Sequence, residues 1–413
     1  MQDVAAAVDL AHREEWAKVV AATVRVTRDL DLAQECAQDA YAQALRSWPS
    51  AGIPLRPGAW LTTVARNRAR DLLARESAFR RAMPLLVMDD EPGPEVDLAR
   101  PTVGDERLQL IFICAHPALS GEARVALTLR LVCGLTTAEV ARAFLVQETT
   151  MAARITRAKK KIALARIPYR VPNRQDLPER VGAVLEIVHL IFTTGHAAPT
   201  GEHLIRRDLV DRAVELGRLL HELLPAEPDP ASLLAMMLIT DARSSTRTSA
   251  DGRLVLLSHQ DRGRWDAALI NEGVGLLTWA LAAGPASRFA LEAAIAAVHA
   301  ESPSIEDTDW AEIVGLYDLL RDCWPNPVVD LNRAVAVGLR DGPAPGLGEL
   351  EPLLSEPALA TYGYLSAARA DFLRRLGRWS EAAAAYREAL ALTDNEVERV
   401  LLQDRLDEVD RQL

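Results

Sequence analysis

At 413 residues the chain is too long for one ordinary core, so two or three domains are expected. Its composition, 49% hydrophobic and 25% charged, is that of a soluble globular protein. The charged start excludes a secretory leader, no apolar run approaches a membrane span, and Cys36, Cys114, Cys133 and Cys323 stand too far apart for a metal motif, so a cytoplasmic protein with reduced thiols and no metal or cofactor is expected. The net charge of −11 argues against a nucleic-acid partner until it is divided along the chain. Residues 1–167 hold 23 Lys and Arg against 20 Asp and Glu, net +3, and the remainder holds 24 against 38, net −14.

In chain order, residues 10–80 read as helices broken at "SWPSAGIPLRPG" (47–58), a loop by its three prolines and two glycines. The segment "AWLTTVARNRARDLLAR" (59–75) follows, with Leu61, Ala65, Ala69 and Leu72 on one side of a helical wheel. Trp60, Asn67 and Asp71 gather on another side, flanked by Thr63, Arg66 and Arg70. Residues 56–81 carry seven arginines against two acids, net +5, which is either a solvated helix face or a surface that meets phosphate. Residues 82–106 hold four prolines and seven acids against Arg100 without apolar periodicity, and predict an extended linker.

Helical pattern resumes from Leu108 to Ile167. Within it, residues 124–166 carry nine basic residues against Glu139 and Glu148, net +7, including Lys159–Lys161. Thr136–Glu139 has the form of a capping box opening a helix through Phe144, and "LVQ" turns the chain into a second helix from about Glu148. Val140, Ala143 and Phe144 would face Met151 and Ile155, while Thr150, Arg154, Arg157 and Lys161 point outward, as a recognition helix in a major groove requires. A plain helical hairpin with a solvated basic face is the alternative. From residue 180 onward amphipathic helices alternate with Pro/Gly breaks at 225–230, 284–285, 325–327 and 341–348, so the whole chain is predicted all-α.

Together these elements resemble a bacterial sigma factor of the extracytoplasmic-function type. The resemblance implies a region 2 domain at 1–81, an acidic linker at 82–106, a region 4 helix-turn-helix domain at 107–167 and a C-terminal helical extension at 168–413. "DLAQECAQDAYAQALRSWP" (31–49) is similar to the segment that docks on the β′ clamp helices of core RNA polymerase, which implies that Asp31, Gln34, Glu35, Gln38 and Asp39 bind polymerase. "WLTTVARNRARD" (60–71) is similar to the helix that reads and melts the −10 element. There Asn67 would hydrogen-bond a base, and Arg66, Arg68 and Arg70 would neutralise phosphates. Trp60 is either a stacking platform or a core residue that fixes the loop against its helix. "VQETTMAARITRAKKKI" (146–162) is similar to the helix that reads −35 and sits on the β flap, which implies DNA contacts from Gln147, Thr150, Arg154, Arg157, Lys159, Lys160 and Lys161. Leu145 stands where the turn commonly has Gly, and Ala152-Ala153 replace Lys-Ser.

The similarity continues through "LLAMMLITDARSSTR", "HQDRGRWD" and "NPVVDLNRAVAVG" to the subgroup with a long helical extension, although "FTTGH" (192–196) replaces the expected Asn-Glu-Gly-Tyr. "LGRWSEAAAAYREAL" (376–390) fits half of a tetratricopeptide repeat, with Gly377, Ala382, Tyr386 and Ala389 at its small and aromatic positions, and predicts a TPR-like stretch at about 361–394. Asp371, Arg374, Arg375 and Arg378 form a basic patch in the acidic tail, an expected docking surface for a protein or small-molecule partner unless the arginines pair locally with Asp371 and Glu381. The rival readings are an enzyme in residues 180–413, for which His189, His196 and His203 lack metal spacing and no phosphate loop or nucleophile elbow is present, and a scaffold with a vestigial DNA-binding half.

Overall fold

A computed structural model describes residues 4–82, 106–144, 146–165, 167, 169 and 177–413. Among these the chain is helical nearly throughout, with strand pairing confined to two dipeptides and an antiparallel bridge between Thr248 and Leu254, and it forms two compact units, Met1–Ile187 and Val188–Leu413.

In the first unit, α1 (Val4–Thr27), α2 (Leu30–Ala51) and α3 (Pro57–Ala82) pack as a three-helix bundle. Alanines make the close approach possible: Ala33, Ala37 and Ala40 of α2 and Ala65 and Ala69 of α3 are fully buried around Trp16, Val19, Val20 and Leu61. Leu61, Ala65 and Ala69 face this core as the wheel predicts, with Leu72 half-buried. Asp29 starts α2 by accepting from the N–H groups of Asp31 and Leu32 at 2.7 and 2.8 Å. The predicted loop 47–58 is shorter than expected, because α2 continues through Pro49 to Ala51 before Gly52, at φ +83°, ends it. Pro49 has no N–H to donate to the Leu45 carbonyl, so α2 forgoes one hydrogen bond just before its end.

After the linker, whose residues 83–105 lie outside the described ones, come α4 (Glu106–Cys114), α5 (Gly121–Leu127), a π-helical turn at Thr128–Val132, α6 (Thr137–Ala143) and α7 (Glu148–Leu164). Arg130 in the π turn is buried and donates to the Leu135 carbonyl at 2.7 Å, so one of the nine counted basic residues is internal.

Helix α8 (Leu177–His196) leads into the second unit, where α9 (Arg207–Leu223), α10 (Pro228–Asp241), α11 (Ala267–Ala283) and α12 (Arg288–Glu301) pack around α10, buried on nearly every side. Then α13 (Trp310–Cys323), α14 (Pro327–Arg340), α15 (Pro343–Leu350), α16 (Gly363–Arg375), α17 (Trp379–Leu392) and α18 (Glu396–Asp410) follow as successive hairpins. Three of the predicted proline breaks are helix starts, at Pro228, Pro327 and Pro343, since a proline's missing N–H costs nothing in a first turn. Gly338 and Gly346 let α14 and α15 meet under the Phe372 ring, where a Cβ at either position would collide. Strands β1 (Thr200–Gly201) and β2 (Asp394–Asn395) pair in parallel across this unit.

Candidate nucleic-acid and polymerase interface

The outward face of α2 carries Asp31, Glu35 and Gln38 exposed and Asp39 half-buried, a row spaced at three and four residues. Gln34, expected on this row, is buried. On α3, Trp60 is half-buried with its ring edge against the buried Trp48 at 5.6 Å between centroids, the geometry of a residue holding the α2–α3 connection. Asn67 is exposed, accepts from Arg70 at 3.3 Å and lines a groove of about 500 Å³ with Asp39, Gln43, Arg46, Arg68 and Asp71. The arginines divide. Arg70 is exposed, Arg68 pairs with Asp39 at 3.0 Å, and Arg66 turns inward to the Ala22 carbonyl at 3.3 Å and to Glu106 at 3.1 Å. Glu106 also takes Arg25 at 3.0 Å, so the first carboxylate of α4 joins α1 and α3.

The helix-turn-helix has the expected start. Glu139 accepts from the Thr136 N–H at 2.6 Å, and the Glu139 N–H donates back to the Thr136 hydroxyl at 3.2 Å. Val140, Met151 and Ile155 are buried between α6 and α7, and Phe144 is half-buried, while the side chain of Ala143 lies outside the described residues. Gln147, Thr150, Arg157, Lys160 and Lys161 are exposed along one side of α7. Arg154 is folded back, paired with Glu122 at 2.9 Å and lying over the Phe144 ring at 5.6 Å.

Lys159 departs most from the expectation of a phosphate contact. Its side chain is 8% exposed, and Nζ donates to Asp31 Oδ1 and Gln34 Oε1, each at 2.8 Å. A residue expected on DNA is thus joined to two expected on polymerase. The signal was in the sequence: Lys159 follows Met151 and Ile155 at four-residue steps, on the apolar side of α7.

Two segments of this architecture match known families: residues 14–79 match "Sigma-70 region 2" and residues 109–162 match "Sigma-70, region 4". The chain belongs to the sigma-70 family. It is a sigma factor of the extracytoplasmic-function type with a C-terminal extension, and residues 180–281 of that extension match a family of unknown function (DUF6596). The sigma factor is 40% identical over 404 residues to an uncharacterized protein of Rhizobium meliloti (strain 1021), covering 97% of this chain and 95% of that protein. As a member of this family it serves promoter-directed transcription and binds core RNA polymerase and promoter DNA, an activity the family performs without enzymatic chemistry.

In the extension of the sigma factor, the expected basic patch is internally paired. Arg374 bonds Asp371 at 2.8 Å and Glu408 at 3.4 Å, Arg375 lies 3.9 Å from Asp371, and Arg378 bonds Glu381 at 2.6 Å. His189 meets Glu292 at 3.2 Å, His196 is buried and His203 exposed, so the three histidines share no site. No group of three or more metal-binding side chains occurs among the described residues. Arg262 of "HQDRGRWD" donates to the His299 and Ser302 carbonyls, both at 2.7 Å, which makes it a tie between helices. Among the described residues no helix is long and apolar enough to cross a membrane.

Proposed function

We propose that the first unit docks its α2 row, Asp31, Glu35, Gln38 and Asp39, on the β′ clamp helices of core polymerase, and that α3 reads and melts the −10 element. In this reading Asn67 holds an unstacked base and Arg70 lies on the strand's phosphates. Helix α7, resting on the β flap, reads the −35 duplex through Gln147, Thr150 and Arg157, with Lys160 and Lys161 on the backbone. The observation that carries the reading is the exposed row on α7 above a capped, buried helix-turn-helix core, the arrangement a recognition helix needs. The acidic extension regulates this activity. Its support is the Rhizobium meliloti relative, which aligns across nearly the whole length and so carries the extension together with the sigma half.

Run-off transcription with purified core polymerase tests the reading. Asn67→Ala is expected to retain polymerase binding and to lose open-complex formation on duplex promoters, with partial rescue on a pre-melted −10 bubble. Wild-type permanganate reactivity of the −10 thymines in this variant would remove Asn67 from the mechanism.

A further inference from the structure

The second unit encloses a cavity of about 410 Å³ within the range of small-molecule sites, lined among others by Arg243, Trp265, Glu292, His299, Tyr317 and Trp324. Its walls are mostly apolar, from α10, α12, α13 and α14. Its polar groups are unequal in how they are satisfied. Glu292 is engaged by His189 at 3.2 Å. Arg262, behind the wall, spends its donors on backbone carbonyls and on Thr308. Arg243 differs: among the described residues no carboxylate or carbonyl accepts from its guanidinium, and its titratable neighbours are the neutral Tyr317 phenol and a second cation, Arg262. Burial and Arg262 accordingly hold the Arg243 guanidinium below its usual pKa. His299 also lines the cavity, while its Nδ1 is closed off from solvent and has no partner among the described residues.

Arg243 is half-buried on the cavity with no protein counter-charge on its guanidinium among the described residues, an arrangement that an anion entering the cavity would complete. Arg243 is the cation that lines the cavity, beside the indoles of Trp265 and Trp324, whose rings carry Arg262 and Arg288; the mostly apolar walls favour an anion with an apolar body. We propose that the extension holds a binding site for a small organic monocarboxylate, its carboxylate on Arg243 and its apolar body between Trp265 and Trp324. The site goes beyond promoter recognition and stands independently of it, since binding is measured without polymerase or DNA.

The test uses the full-length chain and three probes, phenylacetate, indole-3-acetate and 4-methylvalerate, each beside its neutral amide, followed by calorimetric titration and thermal shift. At least one acid is expected to bind and to raise the melting temperature, with its amide about tenfold to a hundredfold weaker, the worth of a charge-assisted hydrogen bond. Arg243→Met, which keeps the chain length and removes the charge, is expected to abolish the preference for acid over amide. Ala296→Leu, which fills the cavity from α12, is expected to block acid and amide alike and decides the matter should Arg243→Met not fold. Failure of all three acids to bind wild type at millimolar concentration would overturn the site, as would an undiminished acid preference in Arg243→Met or undiminished binding in Ala296→Leu.

Discussion

Side chains on α7 that differ only in where they face are expected to fail differently. Arg157 is exposed on the side proposed to read the groove, so Arg157→Ala should cost about 1–3 kcal/mol on a −35 duplex and relax preference at one base pair. Lys160→Ala with Lys161→Ala should weaken all duplexes alike and flatten the dependence of log K on log salt by roughly two phosphate contacts. Equal, sequence-blind losses in both variants, read by fluorescence anisotropy over a salt series, would reduce α7 to a non-specific basic helix. The wheel identified these positions correctly as outward, yet it overcounted the usable charge. Arg66, Arg130, Arg154 and Lys159 turn inward or back to partners, because a long flexible cation goes wherever a carboxylate or carbonyl waits; for Arg66 and Arg154 those partners are distant in sequence and leave no local pattern, whereas Lys159 lies on the apolar side of α7. Buried histidines give a second prediction at this scale. Burial foremost, then Arg247, Arg243 and Arg207, pushes His196 down to about 2; burial, then Arg243 and Arg262, pushes His299 down to about 4. Both stay neutral in the fold while the unfolded chain protonates below about pH 6.5, so their stabilisation is present above that pH and is lost as pH falls toward the folded values. From pH 7 to pH 5 each should cost the second unit about 2 kcal/mol. His196→Leu should halve that acid sensitivity in thermal unfolding; an unchanged pH slope would mean that His196 is already accessible to protons.

Among the elements, helices were legible and their junctions were not. Periodicity, proline and the capping box located α3, α6, α7 and α17 within a few residues, since each rests on contacts within one turn. The β1–β2 pairing escaped because it joins residues nearly two hundred apart. Its keystone is Asn395, fully buried, whose amide donates to the Ala198 and His203 carbonyls at 2.9 and 3.0 Å while its oxygen caps α18 through the Val397 and Glu398 N–H groups. Asn395→Ala leaves two carbonyls and two amides unpartnered and should cost about 2–4 kcal/mol, lowering the melting temperature by several degrees. A loss below the error of differential scanning calorimetry would show that water replaces the amide there. Gly377 was legible for a local reason: at φ +71° it ends α16, with the Arg378 N–H reaching back to the Leu373 carbonyl at 2.9 Å. The basic patch beside it was expected to be a docking surface unless it paired locally with Asp371 and Glu381, and that local pairing is what occurs, with Glu408 of α18 added to Arg374.

At the scale of the whole molecule, α8 decides where the chain can be divided. The compact units meet in sequence at Ile187–Val188, inside that helix, so Val181, Val184 and Leu185 belong with the sigma half although they lie past its expected end. A fragment ending at residue 168 strips those buried residues and should melt well below one ending at His196. Both fragments are expected to be inactive in the cell if the extension is required, while the longer one still binds −35 DNA in vitro. Higher promoter activity from the 1–196 fragment than from the intact chain would mean that the extension restrains the sigma half.

The Lys159 contact with Asp31 and Gln34 also sets a concentration. While it is made, residues expected to meet polymerase and one expected to meet DNA are occupied with each other, so if Asp31 docks on polymerase as proposed, only molecules in which the contact has opened would be competent. Were the closed form favoured by about 2 kcal/mol, roughly one molecule in thirty would be open, and the apparent affinity for polymerase would fall by that same factor. The cell would then need about thirtyfold more of the protein, or a partner that pulls the pair apart, to reach the occupancy of an open variant. Lys159→Met keeps the apolar stem and removes the charge, so it should tighten polymerase binding by up to that factor and leave −35 affinity nearly unchanged. Weaker DNA binding without tighter polymerase binding would return Lys159 to the phosphate contacts and leave the dosage of this protein governed by its synthesis alone.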